Sequence, residues 1–170
     1  MNRFTFLGEM DNIEDDVYEN ALFIYTDVSV SNMIAEVPYY KAKKVICIDH
    51  HKNENPIGQL CINDDAAAAT AVIVYRIMRM GGLTMDARKA DLLALAILTD
   101  TGNFKFARNG DALRIMADLV DAGVNIRSLI ELMNNKPRKA VQLEARTADK
   151  SSLSPLETSD RQKRLYEHAN

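Results

Sequence analysis

The sequence predicts an α/β fold, an open and mostly parallel sheet flanked by helices, and three observations carry that prediction. Two short runs, Ala21-Leu22-Phe23-Ile24-Tyr25-Thr26 and Val45-Ile46-Cys47-Ile48, are continuously apolar, as interior strands of a parallel sheet are. Each run stops at a carboxylate, Asp27 or Asp49, and in open α/β sheets the ligand crevice lies just past such strand ends. Segments of helical length and spacing then follow, broken at Gly81-Gly82 and Gly123.

Composition narrows the class. At 170 residues with nearly half of them apolar, the chain can bury one substantial core, and a net charge of −3 argues against disorder or a dominant field for nucleic acid. A polyanionic substrate would have to be held locally. Cys47 and Cys61 lie in apolar runs without a Cys-x-x-Cys pattern, the usage of reduced core thiols. The longest apolar stretch, Leu92 to Leu98, is far short of the roughly 20 residues a bilayer needs, and no signal-type start is evident. The expectation is a soluble cytoplasmic protein with an α/β domain over residues 1–135 and a helical linker or tail over 136–170.

Taken in order, Phe4, Phe6 and Leu7 alternate like an edge strand, and the acidic segment from Glu9 to Glu19 reads as solvated surface. Ala21–Thr26 forms the first buried strand. Residues 31–37 suit a short crossover helix that stops before Pro38, which would make the next strand a parallel neighbour and bring Asp27 and Asp49-His50 to one rim. Gln59-Leu60-Cys61-Ile62 is a third strand. The alanine run opens a helix over 66–80, stopped by Gly81-Gly82. Thr84 caps the next helix, which becomes steadily more apolar through Leu98 and ends at Asp100. Residues 111–122 form an amphipathic helix, and Asn125 caps a last one over 126–134. The stretch from Lys136 onward has linker composition with little to bury.

Chemistry is concentrated at three of these ends. Of three histidines, two are adjacent, His50 and His51, directly after Asp49. Asp100 ends a buried helix, where the negative end of the helix dipole makes a carboxylate unfavourable unless a cation compensates. Turn-forming roles account for each carboxylate taken singly. Together, Asp27, His50 and Asp100 offer an oxygen-rich set with one imidazole, which suits manganese, magnesium or iron better than cysteine-based zinc ligation. Paired ions bridged by a carboxylate serve phosphoryl transfer, so phosphoester hydrolysis is the reaction class this set favours.

The ordered motifs Tyr25-Thr26-Asp27-Val28-Ser29, Ile48-Asp49-His50-His51, the Ala-Ala-Thr helix start and Leu98-Thr99-Asp100-Thr101-Gly102-Asn103-Phe104 resemble the DHH phosphoesterase superfamily. Within it they look most like the small bacterial oligoribonuclease and pAp-phosphatase branch, NrnA-like and RecJ-related. The resemblance implies that Asp27 bridges two Mn2+ (or Mg2+) ions and that His50 and Asp100 are further metal ligands. It also implies that His51 contacts or positions the phosphate, that Asp49 orients the histidines, and that Thr101-Gly102 shapes the turn presenting Asp100. Lys52, Lys105 and Arg108 are candidate phosphate contacts, with a solvated face as the other reading of each. The implied substrates are short oligonucleotides, pAp or cyclic dinucleotides.

Two features of the family pattern have no counterpart in these residues. No His-x-x-x-Asp-x-Asp segment occurs before Asp27, and no Gly-Gly-Gly-His stretch follows. The expectation is therefore a partial DHH domain without its C-terminal DHHA1-type domain, holding one ion where the family holds two and hydrolysing little alone. It would be completed by an N-terminal segment or associate with itself. The alternatives are a non-catalytic nucleotide- or metal-binding module that keeps the crevice, and a structural domain whose acidic and histidine residues are turn chemistry.

Overall fold

In a computed structural model of the chain, residues 7–8, 11–28, 30, 34, 38–52 and 56–134 are described. Backbone contacts divide the chain into one unit over residues 9–132 and another made of residues 1–8 with 133–170. Almost everything described belongs to the first. The edge strand expected near Phe4 and Phe6, most of the crossover helix over 31–37 and the tail from Lys136 lie outside the described residues.

A one-turn helix α1 (Asp15–Tyr18) precedes strand β1 (Leu22–Thr26). A 3-10 turn over Tyr39–Lys41 leads into β2 (Lys44–Asp49), and β3 (Leu60–Asn63) follows. The three strands form a sheet in the order β1-β2-β3, and both pairings are parallel. The expected fold class, a parallel sheet flanked by helices, is the one found. Helices α2 (Thr70–Met80), α3 (Ala87–Asp100) and α4 (Asp111–Asp121) pack on one another, and α2 packs on β2. Helix α5 covers Ile126–Asn134.

Register explains which strand residues are buried. Phe23 pairs with Val45, and Tyr25 with Cys47, which pairs in turn with Cys61, so these side chains share one face. There Tyr25, Val45 and Cys47 form a core against Val28, Ile34, Ala42 and Ile57. The Tyr25 hydroxyl donates to the Ile57 carbonyl at 2.6 Å and accepts from the Ile57 N–H at 2.9 Å, tying the loop before β3 to β1. Cys47 and Cys61 are free thiols, and burial pushes the Cys61 thiol up to about 12, which keeps it protonated and inert at neutral pH. The opposite row, Ile24-Ile46-Leu60, is less covered: Leu22, Ile24 and Leu60 are each about half exposed. Among the helices, Val72, Ile97, Leu98 and Leu119 are fully buried, the interior that apolar spacing predicts.

Two boundaries differ from expectation, each for a physical reason. The alanines at 66–69 are excellent helix formers, yet α2 begins only at Thr70, and Ala69 is extended at φ −159° and ψ 150°. The Ala66 and Ala67 carbonyls accept from Asn109 and face His50 instead of closing helical turns, so tertiary contacts override propensity. Asp86, not Thr84, caps α3, and its carboxylate accepts from the Lys89 N–H at 2.9 Å.

Arg76 links the loop after β3 to α4. Its guanidinium reaches Asp64 at 2.7 Å and Asp111 at 2.6 Å, and Arg108 donates to the Asp65 carbonyl of the same loop. The Arg76 hydrogen bond holds the Asp64 carboxyl below its ordinary range, the larger effect opposing a smaller one from burial. All three partners are over a third exposed, so Arg76→Gln should cost about 1 kcal/mol at pH 7. The contribution through Asp64 is complete above the ordinary carboxylate range and is lost as pH falls through the lowered value. Urea unfolding should therefore show wild type and variant converging in strongly acidic solution; an unchanged gap there would show that Asp64 is not the partner that matters.

Candidate metal centre

The site forms where β1, β2 and α3 end. The N–H of Asp27 donates to the Ile48 carbonyl at 3.0 Å, extending the β1–β2 pairing by one residue. Asp27 then turns into the left-handed region at φ 62°, a conformation aspartate tolerates better than most side chains. Strain of this kind recurs where a side chain must be aimed.

From β2 come Asp49, His50 and His51. Asp49 is fully buried and pairs in register with Asn63. Its Oδ1 accepts from the His51 N–H at 3.1 Å and lies 2.8 Å from His51 Nδ1, so one carboxylate oxygen holds both backbone and ring of that histidine. Its Oδ2 is buried with no hydrogen-bond partner among the described residues. Asn63 closes the other side, its amide donating to the Asp49 carbonyl at 3.0 Å and to the His51 carbonyl at 2.8 Å. The strand-to-loop turn is thus fastened by side chains at both flanks.

His50 is held by a different partner. Its Nδ1 lies 3.2 Å from the Ala67 carbonyl, which cannot donate, so the hydrogen bond requires Nδ1–H and, in the neutral ring, puts the lone pair on Nε2. That Nε2 stands 3.5 Å from Asp27 Oδ1 and 4.0 Å from Asp100 Oδ2. A histidine fixed through one nitrogen by a carbonyl and presenting the other to carboxylates has the arrangement of a metal-ligating imidazole. Asp27, His50 and His51 each offer a donor atom within 4.8 Å of the others. The two rings meet edge to face at 4.3 Å.

Asp100 is the last residue of α3. Burial raises its carboxyl above the ordinary range, Asp27 adds to the rise, and His50 and His51 offset part of it. Negative charge is therefore disfavoured at this position without a compensating cation. Thr101, fully buried, donates to the Ile97 carbonyl at 2.6 Å and accepts from the Phe104 N–H at 2.9 Å. Gly102, Asn103 and Phe104 all have φ between 54° and 68°, three successive left-handed residues that reverse the chain directly after Asp100. An open cleft of about 340 Å3, lined by Thr26, Asp27, Thr70, Val74, Leu93 and Asp100 among others, lies beside the carboxylates.

Residues 3–97, more than half of the chain, match the sequence profile of the DHH family, N-terminal domain. This chain belongs to the DHH family. It is 27% identical over 154 residues to the bifunctional oligoribonuclease and PAP phosphatase NrnA of Bacillus subtilis (strain 168), covering 88% of this chain and 49% of that protein. It is 30% identical over 142 residues to the probable bifunctional oligoribonuclease and PAP phosphatase NrnA of Streptococcus mutans, covering 83% and 46%. The chain thus spans about half the length of these curated relatives. The crystal structure of an exopolyphosphatase-related protein from Bacteroides fragilis superposes with a TM-score of 0.70 at 19% identity, covering 82% of this chain and 44% of that one, which is a likeness of fold.

In this DHH domain the sequence candidates separate into two groups. Asp27, Asp49, His50, His51 and Asp100 lie together at the strand and helix ends. Lys52 and Lys105 are exposed, and the Arg108 guanidinium donates to a backbone carbonyl. Sequence reasoning gave no role to Thr70, Asn63 or Arg76. For Thr70 the signal was in view, since the Ala-Ala-Thr helix start carries the family resemblance. Asn63 and Arg76 act through contacts 12 or more residues away in sequence, which no local pattern announces.

Proposed function

We propose that this chain is the metal-binding part of a DHH-type phosphoesterase, with Asp27, His50 and Asp100 holding a divalent cation, Mn2+ or Mg2+. The observation that carries the reading is the single free nitrogen of His50 between two carboxylates from different elements. The donor set fits a hard or borderline ion, and the unfavourable ionisation of Asp100 is relieved by one. When bound, such an ion supplies charge neutralisation for phosphoryl oxygens and acidifies a water.

The chain's own side chains do the rest. His51, held through Nδ1 by Asp49, turns its remaining nitrogen to the phosphate as a positioning or proton-carrying group. Lys52 and Lys105 are free to meet phosphate charge from the rim, with Arg108 a candidate once released from Asp65. Relatives named as oligoribonucleases and PAP phosphatases support short oligonucleotides, pAp or cyclic dinucleotides as substrates.

A second reading, a nucleotide- or metal-binding module without turnover, is favoured by one observation. These residues contain no His-x-x-x-Asp-x-Asp segment, so among the described residues Asp27, His50 and Asp100, with His51 beside them, are on hand for ions that the family holds in pairs. The outer edge of β1 has no partner strand among the described residues, and Leu22 and Ile24 are half exposed on it, which supports a complementing segment or a second copy there.

The test is manganese retention after gel filtration, followed by turnover of pAp or a dinucleotide with and without a separate segment carrying the absent motif. Retained manganese with turnover rising at least tenfold on addition of the segment is the expected result. Retention with no turnover in either arm favours the module. No manganese at all in wild type overturns both readings.

A further inference from the structure

We infer that Thr70 is a positioning residue of the metal centre: its hydroxyl fixes the Asp27 carboxylate in the orientation that receives the ion. The inference rests on the metal-centre reading above and assigns a residue that reading does not use.

The Thr70 Oγ1–H donates to Asp27 Oδ1 at 2.8 Å, joining the first residue of α2 to the end of β1 across 43 residues of sequence. Thr70 is 4% exposed, whereas the Asp27 side chain is 45% exposed, the most open of the three proposed metal ligands. The Asp27 carboxylate is half exposed on a left-handed residue, and of its two ring neighbours His50 Nε2, at 3.5 Å, is the lone pair of the neutral tautomer set by Ala67, while His51 Nδ1, at 3.9 Å, is directed to Asp49. The hydroxyl is the remaining side-chain donor to Asp27 among the described residues.

The position of this threonine is informative. A threonine one residue earlier would cap α2 and strengthen it, yet Ala69 stands at the N-cap and no side chain caps the helix. The hydroxyl is committed across the site instead of to its own helix.

The experiment measures Mn2+ affinity by the EPR signal of free manganese, at pH 7, for wild type, Thr70→Val, Thr70→Ala, Thr70→Ser and Asp27→Asn, with circular dichroism on each metal-free protein. Removal of an outer hydrogen-bond partner weakens metal binding by about 10–100-fold. We expect that loss in Thr70→Val and in Thr70→Ala, with affinity within about threefold of wild type in Thr70→Ser. If valine perturbs the fold, alanine gives the same reading. Thr70→Val and Thr70→Ala binding like wild type while Asp27→Asn loses manganese would overturn the role of Thr70 alone. Equal losses in serine and valine variants would also overturn it, since the hydroxyl would then not be the group that matters. Undiminished affinity in Asp27→Asn would instead overturn the metal-centre reading beneath it.

Discussion

Replacing Asp100 by asparagine should stabilise the metal-free protein and, on the proposed metal-centre reading, abolish the rise in melting temperature expected of the wild type with manganese. The first half follows from the raised carboxyl of Asp100, caused by burial and by Asp27. A carboxylate whose folded pKa lies above its unfolded one destabilises the fold while ionised, and that penalty is relieved as pH falls through the folded value. Asparagine keeps the shape without the charge, so the gap between variant and wild type should be open at pH 7 and close on acidification. This trend runs opposite to that of Asp64, whose stabilising contribution disappears in acid.

The second half follows from mass action. At a manganese concentration 100 times the dissociation constant, an ion that binds only the folded state adds about 2.7 kcal/mol. For a domain of this size that is roughly 5–10 °C in melting temperature. The Asp100→Asn substitution removes one charged donor beside His50 Nε2, and the shift should fall to near zero. Scanning calorimetry at pH 7 and pH 4.5, with and without manganese, reads both halves. A variant that melts below wild type without metal, or that keeps the metal shift, would remove Asp100 from the centre. Stability gained where function is lost is the mark of a residue kept for its ligand.

How much of this was legible in the sequence depends on whether the cause is local. The strands β1 and β2 were legible because a continuous apolar run ending at a carboxylate leaves few other readings, and the parallel register then brings Asp27 and Asp49 to the same end of the sheet. The unfavourable setting of Asp100 was legible from its place at the end of an apolar helix, and the fold adds burial and Asp27 to the dipole argument. The start of α2 was not legible, because alanine propensity is local whereas His50 and Asn109 claim the Ala67 and Ala66 carbonyls from 17 and 43 residues away. The left-handed run at Gly102, Asn103 and Phe104 was legible only at its glycine. A phenylalanine at φ 68° is imposed by its surroundings, here the N–H of Phe104 reaching back to the Thr101 hydroxyl. Arg108 marks the same boundary: the sequence offers it as a candidate phosphate contact or a solvated cation, and only the fold says that it is donating to the Asp65 carbonyl.

Gly58→Ala should be the most damaging small substitution in the sheet, and its cause can be isolated. Gly58 has φ +114°, and a Cβ built there would stand 2.6 Å from the Val45 carbonyl oxygen, 3.0 Å from its carbon and 3.1 Å from Val45 Cγ1. Val45 cannot yield. Its carbonyl accepts from the Gln59 N–H at 3.0 Å, its N–H donates to Gln59 Oε1 at 2.6 Å, and its side chain is buried in the core with Tyr25 and Cys47. Adding backbone strain of about 1 kcal/mol to an overpacking cost of about 1–3 kcal/mol gives roughly 3 kcal/mol, or roughly 10 °C in melting temperature. Gly123 provides the control, because it has φ +108° but nothing within 4 Å of its added Cβ, so Gly123→Ala carries a similar strain without the clash. Thermal unfolding of the two variants should differ by about 2 kcal/mol, the overpacking part alone, and equal losses would show that no close approach exists at Gly58. Because Val45 lies on the strand that ends at Asp49, directly before His50 and His51, the backbone shift should also weaken the proposed manganese binding in Gly58→Ala and leave it unchanged in Gly123→Ala. That second readout separates a loss of packing from a loss of the geometry that packing maintains.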